Sequence, residues 1–187
     1  QDAQLVAALV LAREGLALKD VRLIEAGGIG TALQTVRSGQ VDAVVHTEPV
    51  ISMLEQKGDI RVVADTRSLK GSQELFGGTM PAACLVATAQ SVQNHANTLQ
   101  ALTNAVVRAL KWLQTAGPSD LIKAVPEAYM LGDRGLYLAA FGKLRESIAL
   151  DGLIPDDGAR NALCVLQRIN PSLLAGTVDL ERIYTNE

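Results

Sequence analysis

At 187 residues the chain is long enough for one domain with a sizeable core or for two small lobes. A net charge of −3 with scattered Lys and Arg disfavours nucleic-acid binding, and the longest apolar stretches, residues 5–12 and 82–87, fall short of the roughly 18 residues a membrane span needs. With 48% hydrophobic but only 3% aromatic residues, the core must be built from Ala, Val, Leu and Ile, which points to an α/β fold of helices on a mostly parallel sheet.

Residues 1–16 read as a helix body, with Leu5, Val6, Leu9, Val10, Ala12 and Leu16 in apolar periodicity and no capping residue in front. The expectation is a chain that begins in mid-fold. Residues 21–25 form a β-rich run ending in Gly27-Gly28-Ile29-Gly30-Thr31, and residues 31–37 resume helical spacing until Ser38-Gly39-Gln40 stops it. A second strand is expected over 41–45. Residues 48–57 follow as a helix with Pro49 in its first turn and Gly58 closing it, and residues 60–64 as a third strand. Residues 65–81 have the Thr, Ser, Gly and Pro content of a crossing, so a boundary is placed there, dividing 1–81 from 82–187. Residues 82–88 are a last strand candidate. Helices are expected over 98–114, 119–125, 134–148 and 155–168, with Asp133 as an N-cap and Pro118, Pro126, Pro155 and Pro171 as punctuation.

Three segments could carry chemistry. The glycines at 27, 28 and 30 invite a nucleotide reading, but in a G-x-G-x-x-G frame from Gly28 the third glycine is Leu33, and no acidic residue follows at the end of a strand. What remains is a tight turn with Thr31 capping the helix, or a set of N–H groups that hold a small oxyanion or line a cleft. His46-Thr47-Glu48-Pro49 stands at the carboxyl end of an expected strand, where open α/β sheets bind ligands. Thr47 and Glu48 either cap the next helix or contact ligand, and His46 with Glu48 could serve an α/β enzyme as acid and base. Phe76-Gly77-Gly78-Thr79-Met80-Pro81 reads as a hinge or an ordinary loop. Elsewhere the residues suggest structure: Cys84 and Cys164 as buried free thiols, Trp112 and Tyr137 as core, His95 at a solvated helix start, and Asp156 and Asp157 in a helix's first turn.

The order of these pieces resembles the solute-binding proteins of ABC transporters, in the SsuA/THI5-like branch that includes nitrate, sulfonate, taurine and thiamine-precursor binders. Residues 32–45, Ala-Leu-Gln-Thr-Val-Arg-Ser-Gly-Gln-Val-Asp-Ala-Val-Val, carry it first, followed by Glu48-Pro49, residues 63–67, the run 103–113 ending in Trp112-Leu113, residues 129–133 and the terminal Ile183-Tyr184-Thr185-Asn186. The similarity extends over the whole chain but only over the later part of a family member. It implies a bilobal α/β fold closing on ligand, with 1–81 as most of the second lobe and 82–187 completing the first. It also implies a periplasmic or extracytoplasmic location, a small-molecule ligand, a membrane permease as partner, no cofactor and no catalytic group. The cleft-facing positions would be Gly28, Gly30, Thr31, Thr47, Glu48, Pro49, Gly78 and Thr79. A ligand-sensing regulatory domain is a further possibility, since similar modules serve as effector sensors. Without the family's opening sheet, the helices after Thr98 should expose apolar faces, to be covered by a second copy or by a separate N-terminal segment.

Overall fold

The computed structural model describes residues 2–170 and 178–186, with Asp2 described by its backbone alone; Gln1 and Pro171 lie outside these residues. Nine α-helices occupy the described residues: α1 (Asp2–Arg13), α2 (Ile29–Arg37), α3 (Val50–Gln56), α4 (Leu69–Phe76), α5 (Ala89–Asn94), α6 (Ala96–Thr115), α7 (Pro118–Ala124), α8 (Arg134–Leu144) and α9 (Gly158–Ile169). Short 3₁₀ turns lie between some of them, including Glu127–Met130 and Arg145–Ser147.

The expected α/β fold with a mostly parallel sheet is corrected: among the described residues there is no strand and no sheet. The four runs read as strands carry no regular structure, with bends at Asp42 and Val63 and a positive φ at Gly27, and residues 22–27, 41–47, 60–66 and 82–87 exchange no backbone hydrogen bonds. A strand is defined by a neighbour about 4.8 Å away that takes its N–H and C=O groups. β-branched composition favours a half-buried packed side, and it does not supply that neighbour. The packed side does form. Ala26, Val44 and Ile60, one from each of three runs, pack on a core of Ala32, Leu33, Val50 and Leu54 between α2 and α3. Leu23, Ile24 and Val63 of these runs are exposed, as are Leu85 and Val86 of the fourth.

A second core joins the ends of the chain. Leu9 of α1, Leu75 and Phe76 of α4 and Val165 of α9 bury one another, with Leu5, Val6, Val10, Met80 and Ile169 around them. The helix α9, from beyond the boundary placed near residue 81, therefore packs on α1 and α4 from before it. Residues 65–81 read as an irregular crossing, and within them α4 forms, started by Ser68 accepting from the Gly71 N–H at 3.0 Å and ended by Gly77 at φ +81°. Chain termini of other helices follow the sequence signals. Gly39 and Gly58 take positive φ after α2 and α3, and Asp133 caps α8 by accepting from the Leu136 N–H at 2.8 Å. Pro155 stands before α9 rather than in its first turn.

The helix α6 runs twenty residues without one buried side chain. Leu102, Val106 and Trp112 are exposed along it, which corrects the placing of Trp112 in the core. Cys84 and Cys164 are free thiols as expected, yet both are exposed rather than buried. Cys84 lies in a run, residues 82–88, that is exposed throughout, and Cys164 sits on the outer side of α9 next to the buried Val165, so local hydrophobicity overstates burial at both.

Candidate functional site

The residues singled out from sequence fall into three places, and no hydrogen bond joins one place to another among the described residues. Gly28, Gly30 and Thr31 form the exposed start of α2. Gly28 is its N-cap, while Gly27 carries the positive φ, +67°, that the preceding turn requires. Thr31 does not cap the helix; its carbonyl accepts from the Thr35 hydroxyl at 2.8 Å.

Thr47, Glu48 and Pro49 lead into α3, with a cis peptide between Glu48 and Pro49. Thr47 is exposed and its N–H donates to His46 Nδ1 at 2.9 Å. Glu48 does the capping instead, since its Oε2 accepts from the Ser52 N–H at 3.1 Å. No hydrogen bond joins His46 to Glu48.

Glu48 belongs to an ion-pair cluster centred on Arg67, which sequence reading passed over. One Arg67 nitrogen, Nη1, donates to Glu48 Oε1 and to Glu55 Oε2 at 3.0 Å. The other two, Nε and Nη2, form a fork on Asp65 at 2.8 and 2.6 Å. Lys143 of α8 then reaches Glu55 Oε2 at 2.6 Å, and Glu146 Oε1 accepts from the Leu69 N–H at 3.0 Å. Polar bonds thus tie α3 and the start of α4 to α8 and the turn after it. The Glu48 side chain is only 4% exposed and that of Arg67 14%, so these charges are largely removed from water and depend on one another. Arg67, with Lys143 second, holds the Glu55 carboxyl below its ordinary value; Arg67 does the same for Asp65. The Arg67 guanidinium is pushed up, chiefly by Asp65.

Gly78 and Thr79 occupy the third place, against α9. The Thr79 carbonyl accepts from Asn161 Nδ2 at 3.0 Å, and its hydroxyl donates to Asp157 Oδ2 at 3.3 Å. Gly78 is buried, and a Cβ there would stand 3.1 Å from the Asn161 side chain. Any rotation about Gly77 and Gly78 has to break or carry these bonds.

An open cleft of about 610 Å³ lies beside the Arg67 cluster, lined by Gln114, Gly142, Lys143, Arg145, Glu146 and Leu150. Sequence reading assigned none of these residues to a site; their spacing, with Gln114 far from the others along the chain, gives no local signal.

Residues 3–125 match the model of the NMT1-like family. A solved structure from Bordetella bronchiseptica RB50 superposes with a TM-score of 0.89 at 49% identity, over 98% of this chain. The chain spans 57% of the length of that relative. Among curated proteins there is no match.

Proposed function

The chain belongs to the NMT1-like family, part of the SsuA/NMT1/THI5 solute-binding group, and from that premise we propose that it is the ligand-capturing component of an ABC-type importer. Members of the family are mostly binding proteins rather than enzymes and are typically periplasmic. The observation that carries the proposal is the family match over residues 3–125, which takes in residues 32–45, Glu48-Pro49, 63–67 and 103–113 of the resemblance, while 129–133 and 183–186 lie beyond it. In this reading a small organic or oxyanionic solute, of the sulfonate, nitrate, taurine or thiamine-precursor type, is held by Gly28, Gly30, Thr31, Thr47, Glu48, Pro49, Gly78 and Thr79. The free N–H groups at the start of α2 suit an oxyanion. Residues 1–81 and 82–187 act as the two moving parts, and release follows docking on a membrane permease.

Glu48 enters this reading as a positioning group. Its carboxylate is committed to Arg67 and the Ser52 N–H, so it fixes the 47–49 backbone rather than offering a free charge. The same commitment leaves nothing that favours an acid–base pair of His46 and Glu48.

Thermal-shift measurements against nitrate, alkyl sulfonates, taurine and pyrimidine thiamine precursors test the proposal. One of these should raise the melting temperature in a saturable way, and Thr47→Ala should weaken that response about tenfold, equivalent to roughly 1.4 kcal/mol. A flat response to every candidate solute overturns it.

The exposed apolar side chains of α6, together with Leu23, Ile24, Val63, Leu85 and Val86, exceed what a solitary soluble surface usually carries. In the proposed assembly a second copy or a further polypeptide segment covers them. Sedimentation is expected to show self-association if a second copy covers them, or a monomer with strong binding of an apolar dye if a further segment does, and a compact monomer with low dye binding removes this part of the proposal.

A further inference from the structure

The Arg145 guanidinium is a half-buried cation that has no carboxylate partner among the described residues, and it lines the cleft beside α8. It is held in place by two contacts. Its Nη2 donates to the Ala116 carbonyl at 2.6 Å, and its plane lies over the Phe141 ring, 5.0 Å from the centroid. Of the five N–H donors of a guanidinium, one is spent. The neighbouring charges are already committed: Lys143 to Glu55 and Glu146 to the Leu69 N–H. Gln114, which also lines the cleft, has its Nε2 buried without an acceptor.

We propose that this cleft binds a small organic carboxylate, with Arg145 as its anchor. A planar carboxylate matches the remaining fork of the guanidinium, and such charge-assisted pairs are about twice as strong as neutral hydrogen bonds. Pre-organisation by Phe141 and the Ala116 carbonyl lowers the entropy lost when the pair forms. The buried, unspent Gln114 Nε2 becomes a second donor once its side chain turns toward the cleft. Leu150, 66% exposed, provides an apolar wall for a short hydrocarbon stem. The cleft's volume falls within the roughly 300–1,000 Å³ common for small-molecule sites. A cationic ligand is disfavoured because it would meet the unpaired Arg145, while the charge of Lys143 is met by Glu55 and the Glu146 carboxylate already accepts from the Leu69 N–H.

None of these residues is among those proposed for solute capture, so the two sites can fail separately. Titration calorimetry of the full chain with hexanoate, and with hexanamide as its uncharged isostere, tests the carboxylate site. Hexanoate is expected to bind saturably in the millimolar range or tighter, and hexanamide about tenfold more weakly or worse. Arg145→Gln should remove the discrimination between the two, and Arg145→Lys should restore only part of it. Because Arg145→Gln also removes the bond to Ala116, a second variant is needed. Leu150→Trp changes an exposed side chain, and it should obstruct the cleft while leaving the thermal response to solutes intact. Equal binding of acid and amide, binding that survives both Arg145→Gln and Leu150→Trp, or no saturation by hexanoate would each overturn the proposal.

Discussion

Arg67→Ala should lower the unfolding free energy by about 3–5 kcal/mol, the range expected when one partner of a buried ion pair is removed and the other is left behind. Glu48 sets that size. Its carboxylate is almost fully buried and would keep only the Ser52 N–H, while Glu55 would fall back on Lys143 and Asp65 on solvent. Asp65 and Glu55 are more exposed and contribute less. A loss of this size is a large part of the roughly 5–15 kcal/mol that holds a domain together, so the comparison should be made by denaturant titration at low temperature, with Arg67→Lys as the milder variant. Adding Glu48→Gln to Arg67→Ala should recover part of the loss, because it removes the stranded charge. A double variant as unstable as the sum of the single ones would show that the cluster contributes no coupling.

The same cluster makes stability fall in acid. Glu55 and Asp65 have carboxyls depressed in the fold by Arg67, so the unfolded chain takes up protons first as pH drops. Their contribution is fully present above the ordinary values of 4.5 and 3.8 and is lost as pH falls from there through the depressed ones. In Arg67→Ala this part of the acid slope should be shallower.

This cluster was not legible in the sequence, and the reason is geometric. Glu48, Glu55, Asp65, Arg67 and Lys143 share no period, and Lys143 reaches Glu55 only because α8 packs on α3. Helices with their own signals were legible: α2 with its glycine stop, α6, α7 with Pro118 at its start, and α8 with Asp133 as cap. The helix α4 was hidden by the Thr, Ser and Gly around it, because Leu69 at its start is exposed and its buried apolar residues, Leu75 and Phe76, come together at the other end through contacts with α1 and α9. The expected strands show a different limit. Val, Ile and Leu in runs 21–25, 41–45, 60–64 and 82–88 suggested strands that do not form, because pairing depends on a second chain segment in register, which composition does not report. Among the candidate site residues, the helix-start role read for Glu48 is seen in its bond from the Ser52 N–H, but its ion pair was not legible, because the cation that neutralises it lies nineteen residues further on.

Gly71→Ala should destabilise the protein by about 3 kcal/mol, against the usual sign for such a change inside a helix. Replacing glycine by alanine in a helix ordinarily gains roughly 0.5–1 kcal/mol by restricting the unfolded chain. At Gly71, in the first turn of α4, the added Cβ would stand 1.6 Å from the Asp65 carbonyl oxygen and 2.8 Å from its carbon. Backbone cannot swing aside as a flexible side chain can, so either α4 or the 65–67 segment has to move. Movement of α4 disturbs Leu75 and Phe76 in the core with α1 and α9, and movement of Asp65 disturbs the fork on Arg67. Either way the cost exceeds the entropic gain. Gly142→Ala is the matched control: it lies within α8, nothing stands within 4 Å of its added Cβ, and it should raise stability by about 0.5–1 kcal/mol. The effects of Gly71→Ala and Arg67→Ala should also be less than additive, since displacing Asp65 already loosens the cluster that Arg67 holds. A rise in melting temperature for Gly71→Ala like that of Gly142→Ala would mean that Asp65 does not lie over the first turn of α4, and the link between the cluster and the α1, α4 and α9 core would fall with it.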